Sequence, residues 1–288
     1  MNPIIITILI IAVCIPMLSL FLIAPSLSRR AKKVKKAPFY GKNFAHRGLY
    51  EKDQSIPENS LAAFDRAASA GYGMELDVQL SRDRKVVVFH DDNLKRMCGI
   101  DKKVNELDFD ELQKLSLCGT DQKIPLFSEV LEMVNGRTPL IVELKICRHG
   151  RQLCKKTLKL LKEYDKEYCI ESFNPMIVAW FRFHAPRIFR GQLAQQPNEY
   201  KKEGLPKLAG MILGYTMFNI AARPDFIAYR IGKKPLAIRT AEALGAVKVA
   251  WTSHSAETEK NFDAVIFEHY LPEIKFKEMT ERRSRKDQ

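Results

Sequence analysis

Apolar and polar residues are laid out along this chain in two distinct patterns. The first 28 residues carry no charged side chain, and Ile4 to Ala24 is almost entirely apolar. About 21 residues at about 1.5 Å rise each match a hydrocarbon core about 30 Å thick, so the pattern predicts one N-terminal transmembrane helix. Pro16 inside it bends such a helix without forbidding it. No Lys or Arg precedes the run, its length exceeds the usual secretory h-region, and no A-x-A-like cleavage site follows. An uncleaved anchor is therefore expected over residues 1–28.

Beyond a linker ending near Gly41, short apolar runs alternate with amphipathic ones. Strands are expected at Asn43–His46, Met74–Gln79, Lys85–Phe89, Pro139–Lys145, Glu167–Phe173, Ile188–Leu193, Asp225–Ile231, Val247–Thr252 and Ala264–Glu268. Helices are expected after Ser60, an N-cap candidate, and over Pro125–Asn135, Arg151–Asp165, Asn174–Ala185 and Lys234–Leu244. Eight or nine strands alternating with helices predict parallel βαβ units, and a (β/α)₈ barrel of about 250 residues accommodates them; a doubly wound open sheet is the alternative. Asp91–Lys123 lacks a barrel helix and reads as a small insertion with a short helix over Asp110–Leu115. Leu208–Ala222 is uncharged but only about 15 residues long, which suits a buried or interfacial helix better than a span.

Charge refines this division. Six cations lie between Arg29 and Lys36, directly after the apolar run, and none before it. By the positive-inside rule the chain is expected to be a single-pass protein of the cell membrane, with everything after Arg29 cytoplasmic. The expected parts are an anchor (1–28), a basic juxtamembrane linker (29–41), a catalytic-size domain (42–274) and a basic tail (275–288). The formal net charge of +13 suits an anionic partner. The basic run would be drawn to anionic lipids, and no nucleic-acid motif is present. Six cysteines, one of them in the apolar run, show neither a disulfide framework nor paired zinc-ligand spacing.

Candidate chemistry gathers at the strand ends. His46-Arg47-Gly48 follows the first strand, and Glu75-Leu76-Asp77 puts two carboxylates on one face of the second. His90-Asp91-Asp92 closes the third, and Glu143-Leu144-Lys145 repeats the spacing on the next. Glu75, Asp77 and Glu143 offer only oxygen, which favours a hard divalent cation, Mg²⁺ or Ca²⁺, over zinc. Arg47 and Lys145 could hold a phosphate, and His46 and His90 suit proton transfer near neutral pH.

These motifs, with Pro57-Glu58-Asn59-Ser60, Glu171-Ser172-Phe173-Asn174-Pro175 and Val249-Ala250-Trp251-Thr252, resemble the successive motifs of the glycerophosphodiester phosphodiesterase family. The resemblance runs from about Asn43 to Pro272. It implies a TIM barrel with a small insertion after the second histidine, metal on Glu75, Asp77 and Glu143, and His46 and His90 as the acid/base pair. Arg47, Asn59, Lys145 and Trp251 would meet substrate, with Glu58 shaping the site. The activity implied is metal-dependent hydrolysis of glycerophosphodiesters through a cyclic phosphate. Alternatives are a lysophospholipase D acting on membrane lysophospholipids and an inactive lipid-binding barrel; a phosphatidylinositol-cleaving lyase fits the motifs less well. Ile266-Phe267-Glu268 departs from the Thr-Asp ending of many bacterial members, and this departure is expected to leave the catalytic motifs untouched.

Overall fold

The computed structural model describes residues 2–27 and 34–275. Most of the basic run after the apolar segment, and nearly all of the basic tail, lie outside the described residues. α1 (Pro3–Ile23) comes first, with Asn2 capping its N-terminus. It is long and apolar enough to cross a membrane, and a signal sequence would have the same character.

The barrel begins with β1 (Asn43–Ala45), α2 (Leu61–Ser69), β2 (Gly73–Leu80) and β3 (Val86–Val88). Ser60 starts α2 by accepting a hydrogen bond from the Ala63 amide, which satisfies one of the unpaired N–H groups of the first turn. α3 (Lys95–Cys98) and α4 (Phe109–Leu112) belong to the insertion, and α5 (Phe127–Val134) returns to the barrel. Then follow β4 (Leu140–Leu144), α6 (Gly150–Tyr164), β5 (Tyr168–Ser172), α7 (Pro175–His184) and β6 (Arg190–Ala194). Three short helices, α8 (Pro197–Lys202), α9 (Lys207–Gly214) and α10 (Asn219–Ala222), precede β7 (Phe226–Arg230). The barrel is completed by α11 (Leu236–Ala243), β8 (Val247–Ser253) and β9 (Ala264–Phe267).

Eight parallel strands run β1-β9-β8-β7-β6-β5-β4-β2, and pairing of β1 with β2 closes the cylinder. The open-sheet alternative is thereby excluded. β3 is the ninth strand of the sequence pattern, but it pairs antiparallel with β2 and stands outside the cylinder. Large inward aromatics fill the interior where a neighbouring strand offers glycine. A Cβ on Gly191 would lie 2.0 Å from the ring of Phe226, and one on Gly73 would lie 2.4 Å from Phe44. Gly191 pairs with Phe226 and Gly73 with Phe44 across adjacent strands.

Two expectations need correcting here. Leu208–Ala222 does not form one helix: it breaks at Tyr215–Phe218, and Thr216 adopts a φ of 51° that no helix continues through. The segment read as a linker carries Val34, Phe39 and Tyr40 into buried positions, and Phe39 packs on Phe44 and Phe189 at the foot of the barrel. The insertion has its own small core, built on Leu94, Met97, Leu112, Leu117 and Ile124.

Candidate active site

The three predicted carboxylates meet. Oxygens of Glu75, Asp77 and Glu143 lie within 4.8 Å of one another, all buried. Asp77 pairs with Glu143 in register across β2 and β4, and Glu143 pairs with Glu171 on β5. Adjacent parallel partners share a face, so these acids form a row inside the barrel. Burial, with Asp77 and Glu143 beside it, pushes the Glu75 carboxyl well above its ordinary range. Asp77 is held below its range despite burial, by the charges of Lys145, His90 and Arg47 and a hydrogen bond from Asn59.

This donor set fits a divalent cation. Buried carboxylates packed this closely repel unless a positive charge joins them. Both oxygens of Glu171 are buried without a hydrogen-bond partner, Asp77 Oδ1 has the Lys145 ammonium at 3.3 Å but no hydrogen bond, and oxygen-only donors suit a hard ion.

Both histidines are tied at Nδ1 to a carboxylate. His46 Nδ1 lies 2.8 Å from Glu268 Oε2, and His90 Nδ1 lies 2.7 Å from Asp91 Oδ1. His46 is buried, and burial lowers its pKa even though Glu268 works the other way. Burial would raise Glu268, but the hydrogen bonds from His46 and Tyr50 outweigh it and bring the carboxyl down to about 2. A neutral His46 donating from Nδ1 to an ionised Glu268 leaves Nε2 as a lone-pair acceptor, 4.0 Å from Glu75 Oε2.

His90 does not reach this position by closing a barrel strand, as the sequence pattern implied. β2 runs on past the carboxylates, and the antiparallel β3 brings the chain back, so that the Phe89 amide bonds the Asp77 carbonyl at 3.0 Å.

The two expected anion-binding cations are already partnered. Arg47 Nη1 donates to Glu58 Oε1 at 2.7 Å, and Lys145 Nζ lies 2.9 Å from Glu143 Oε1 and 3.3 Å from Asp77 Oδ1. Burial works against the Lys145 charge, but Glu143 and Asp77 hold the ammonium firmly protonated. Both cations still line the cavity.

Asn59, expected on substrate, is buried and donates to Asp77 Oδ2 at 2.8 Å, which orients that carboxylate. Trp251 lines the cavity and sits edge-on to Phe173 at 5.3 Å.

The cavity has a volume of about 720 Å³. Its inner end holds His46, Arg47, His90, Glu143, Lys145 and Glu268, and its outer wall includes Phe173, Tyr200, Leu205, Leu213 and Trp251.

Three contributors were missed in the sequence. Glu268, expected to leave the catalytic motifs untouched, bonds His46; an acid at the C-terminal end of a barrel strand is the available signal. Arg96 bridges Asp91 and Glu58 through four hydrogen bonds of 2.7–3.0 Å. It stands on the four-residue α3, and nothing in its sequence context marks it. Glu171 was seen only as part of a motif.

A parallel eight-stranded barrel that gathers oxygen donors, cations and two oriented imidazoles at one mouth has the architecture of a barrel enzyme's active site. The sequence model of the Glycerophosphoryl diester phosphodiesterase family matches residues 46–268, and the chain belongs to that family. The matched segment begins at His46 and ends at Glu268.

The chain is 35% identical over 157 residues to a human lysophospholipase D, covering 50% of this chain and 47% of that protein. It therefore spans about half the length of that relative. A glycerophosphodiester phosphodiesterase of Caldanaerobacter subterraneus is 33% identical over 165 residues, covering 52% of this chain and 65% of the relative. Among solved structures, a Thermotoga maritima glycerophosphodiester phosphodiesterase superposes with a TM-score of 0.60 at 26% identity, covering 78% of this chain and 93% of the other. An Oleispira antarctica phosphodiesterase, solved with the product sn-glycerol-3-phosphate, superposes at 0.64 and 22% identity, covering 79% and 93%; at that identity the likeness speaks for the fold.

Proposed function

We propose that the chain hydrolyses glycerophosphodiesters to glycerol 3-phosphate and an alcohol, with His46 and His90 as the proton-transfer pair. The observation that carries this reading is that each imidazole is held at Nδ1 by a carboxylate beside a buried oxygen-donor triad. Relatives named for the same activity support it.

Glu75, Asp77 and Glu143 would hold Mg²⁺ or Ca²⁺. When bound, such an ion neutralises phosphoryl charge and acidifies a nearby hydroxyl. His46 Nε2 accepts the proton of the glycerol hydroxyl next to the phosphate, and that oxygen bonds to phosphorus. The bond from phosphorus to the alcohol oxygen breaks, and His90 Nε2 gives its proton to the departing alcohol. A cyclic phosphate results. Water then enters: His90 takes its proton, the hydroxide bonds to phosphorus, and His46 returns its proton to the glycerol oxygen as the ring opens. Arg47 and Lys145 bind the phosphate oxygens in exchange for part of their present carboxylate contacts.

The test is a panel of glycerophosphodiesters assayed with the full chain in detergent, with Mg²⁺, Ca²⁺ or chelator. His46→Ala and His90→Ala should each remove nearly all turnover and leave divalent-cation affinity intact. Substantial turnover in both variants would overturn the two-histidine scheme.

The apolar outer wall favours a second reading, a lysophospholipase D, which the name of the human relative supports. An acyl chain lying on Phe173 and Trp251 would make Phe173→Ala raise KM for a lysophospholipid about tenfold, with little effect on glycerophosphocholine. Equal effects on both substrates would remove this reading.

We read α1 as an uncleaved membrane span with the barrel in the cytoplasm, on the strength of its apolar length and the cations that follow it. A reporter fused after Gln288 and active only outside the cytoplasm would reverse that topology.

A further inference from the structure

A second cavity, of about 880 Å³, lies at the opposite end of the barrel from the candidate active site. Arg190, the first residue of β6, lines it, as does Asp225, which directly precedes β7. Gln195 and Arg230, at the other ends of those same strands, line the active-site cavity. A five-residue strand separates the two by about 16 Å.

The C-terminal turns of α1 form one wall of this foot cavity, through Met17, Leu20 and Phe21. Hydrogen bonds fasten α1 there. Asn219 Nδ2 donates to the Ile23 carbonyl at 2.8 Å, Arg223 Nη1 to the Ala24 carbonyl at 2.9 Å, and the Ser26 amide to the Pro224 carbonyl at 2.9 Å. The Arg223 guanidinium also lies 4.9 Å from the Phe21 ring. Phe183, 68% exposed, extends the apolar surface.

Charge in this cavity is one-sided. Among the described residues, Arg182, Arg190 and Arg223 line it with a single carboxylate, Asp225, which lies 3.5 Å from Arg190. Arg182 uses Nη1 on the Ile220 and Ala221 carbonyls, and Arg223 uses Nη1 on Ala24. Among the described residues, Nε and Nη2 of both guanidiniums have no hydrogen-bonding partner. That leaves two forks shaped for phosphate oxygens. From Met17 to Arg223 the lining passes from hydrocarbon to cation, the order met on leaving a bilayer leaflet.

We propose that this cavity holds one anionic phospholipid of the bilayer that α1 crosses, its phosphate between Arg182 and Arg223 and its acyl chains along Leu20, Phe21 and Phe183. The proposal rests on the reading of α1 as a retained span. A free anion would use only the cationic rim and leave the apolar wall in water. A choline headgroup would bring a further cation to these arginines. With such a lipid in place, the foot of the barrel lies against the membrane and the active-site mouth opens to the aqueous side.

The full chain is reconstituted in bilayers of phosphatidylcholine with and without phosphatidylglycerol, extracted gently, and its retained lipid identified by native mass spectrometry. One phosphatidylglycerol per chain is expected, favoured over phosphatidylcholine by roughly tenfold. Inorganic phosphate should not displace it, and R182Q/R223Q should lose it while keeping basal turnover of soluble diesters. Equal retention of the two lipids by the unmodified chain would overturn the proposal whatever the variant does. Displacement by inorganic phosphate would do the same, by showing a bare anion site. Release of the chain from membranes by an alkaline wash would overturn the span reading itself, and the lipid site with it. A chain that stays in the membrane without lipid preference defeats the lipid site alone.

Discussion

His46 Nδ1 lies 2.8 Å from Glu268 Oε2, joining the first residue after β1 to the first residue after β9. β1 and β9 are neighbours in the closed cylinder, where the His46 amide also bonds the Phe267 carbonyl at 2.9 Å. Side chain and backbone thus fix the imidazole from the same strand end. Tyr50 donates to the same carboxylate oxygen at 3.0 Å, so the acceptor is itself held in place.

On the proposed two-histidine scheme, replacing Glu268 with Gln keeps the shape and removes the charge that would stabilise a protonated His46. kcat should fall by about a hundredfold or more, with KM and divalent-cation affinity little changed. Steady-state kinetics beside a cation titration separate this from a merely structural role, which would move all three quantities together.

Acid should weaken the fold through the same pair. Glu268 sits at about 2 in the folded chain against an ordinary 4.5, so its stabilisation is complete above about pH 4.5 and is lost as pH falls towards 2. His46, kept neutral by burial, acts in the same direction from its ordinary 6.5 downwards. Thermal unfolding followed through this range should show Tm declining with acid. E268Q should flatten the lower part of that decline, and an unchanged slope in the variant would speak against the ionised pair.

The carboxylate triad predicts the opposite trend for the metal-free chain. Glu75 is raised in the fold, so its contribution is present below the ordinary 4.5 and is lost as pH rises. At neutral pH a divalent cation should therefore raise Tm by several degrees. Glu75→Gln should raise the Tm of the metal-free chain and abolish most of the gain on adding cation. Glu171→Gln, which removes one of the acids beside Glu143, should shift the metal-free Tm the same way. A differential scanning fluorimetry series with and without chelator reads all of these.

Arg96 joins Asp91 to Glu58, and Glu58 in turn holds Arg47. Removing it in Arg96→Ala frees both the partner of His90 and the partner of Arg47, and turnover should fall about tenfold or more. Arg96→Lys cannot reproduce the forked contacts and should recover only part of the loss. If both variants match the parent, the Arg96 bridge contributes nothing to the site.

The barrel was legible because its strands are short apolar runs set between turn residues at helical intervals, and the catalytic motifs because each follows or occupies such a run. Periodicity could not tell the direction of β3, since an antiparallel return and a barrel strand share the same alternation. Nor could it show that Leu208–Ala222 is broken, because an uncharged run of that length carries no phase. Partnerships were the least legible. Asn59 was visible as a motif residue, but only the folded structure shows its bond to Asp77. Glu268 and His46 lie at opposite ends of the domain sequence, and only closure of the cylinder makes them neighbours.

His90 and His46 are therefore unequal in what holds them. His46 is built into the seam of the closed barrel. His90 follows a three-residue strand that pairs with the barrel at three positions, Val86–Leu80, Val87–Gln79 and Val88–Val78. Such a short strand outside the closed cylinder, buried though it is, can open locally at a lower free energy than the whole barrel needs to unfold. On slow heating, enzymatic function should then disappear while far-ultraviolet circular dichroism still reports an intact fold. Amides near His90 should exchange with deuterium well before those of the strands around His46.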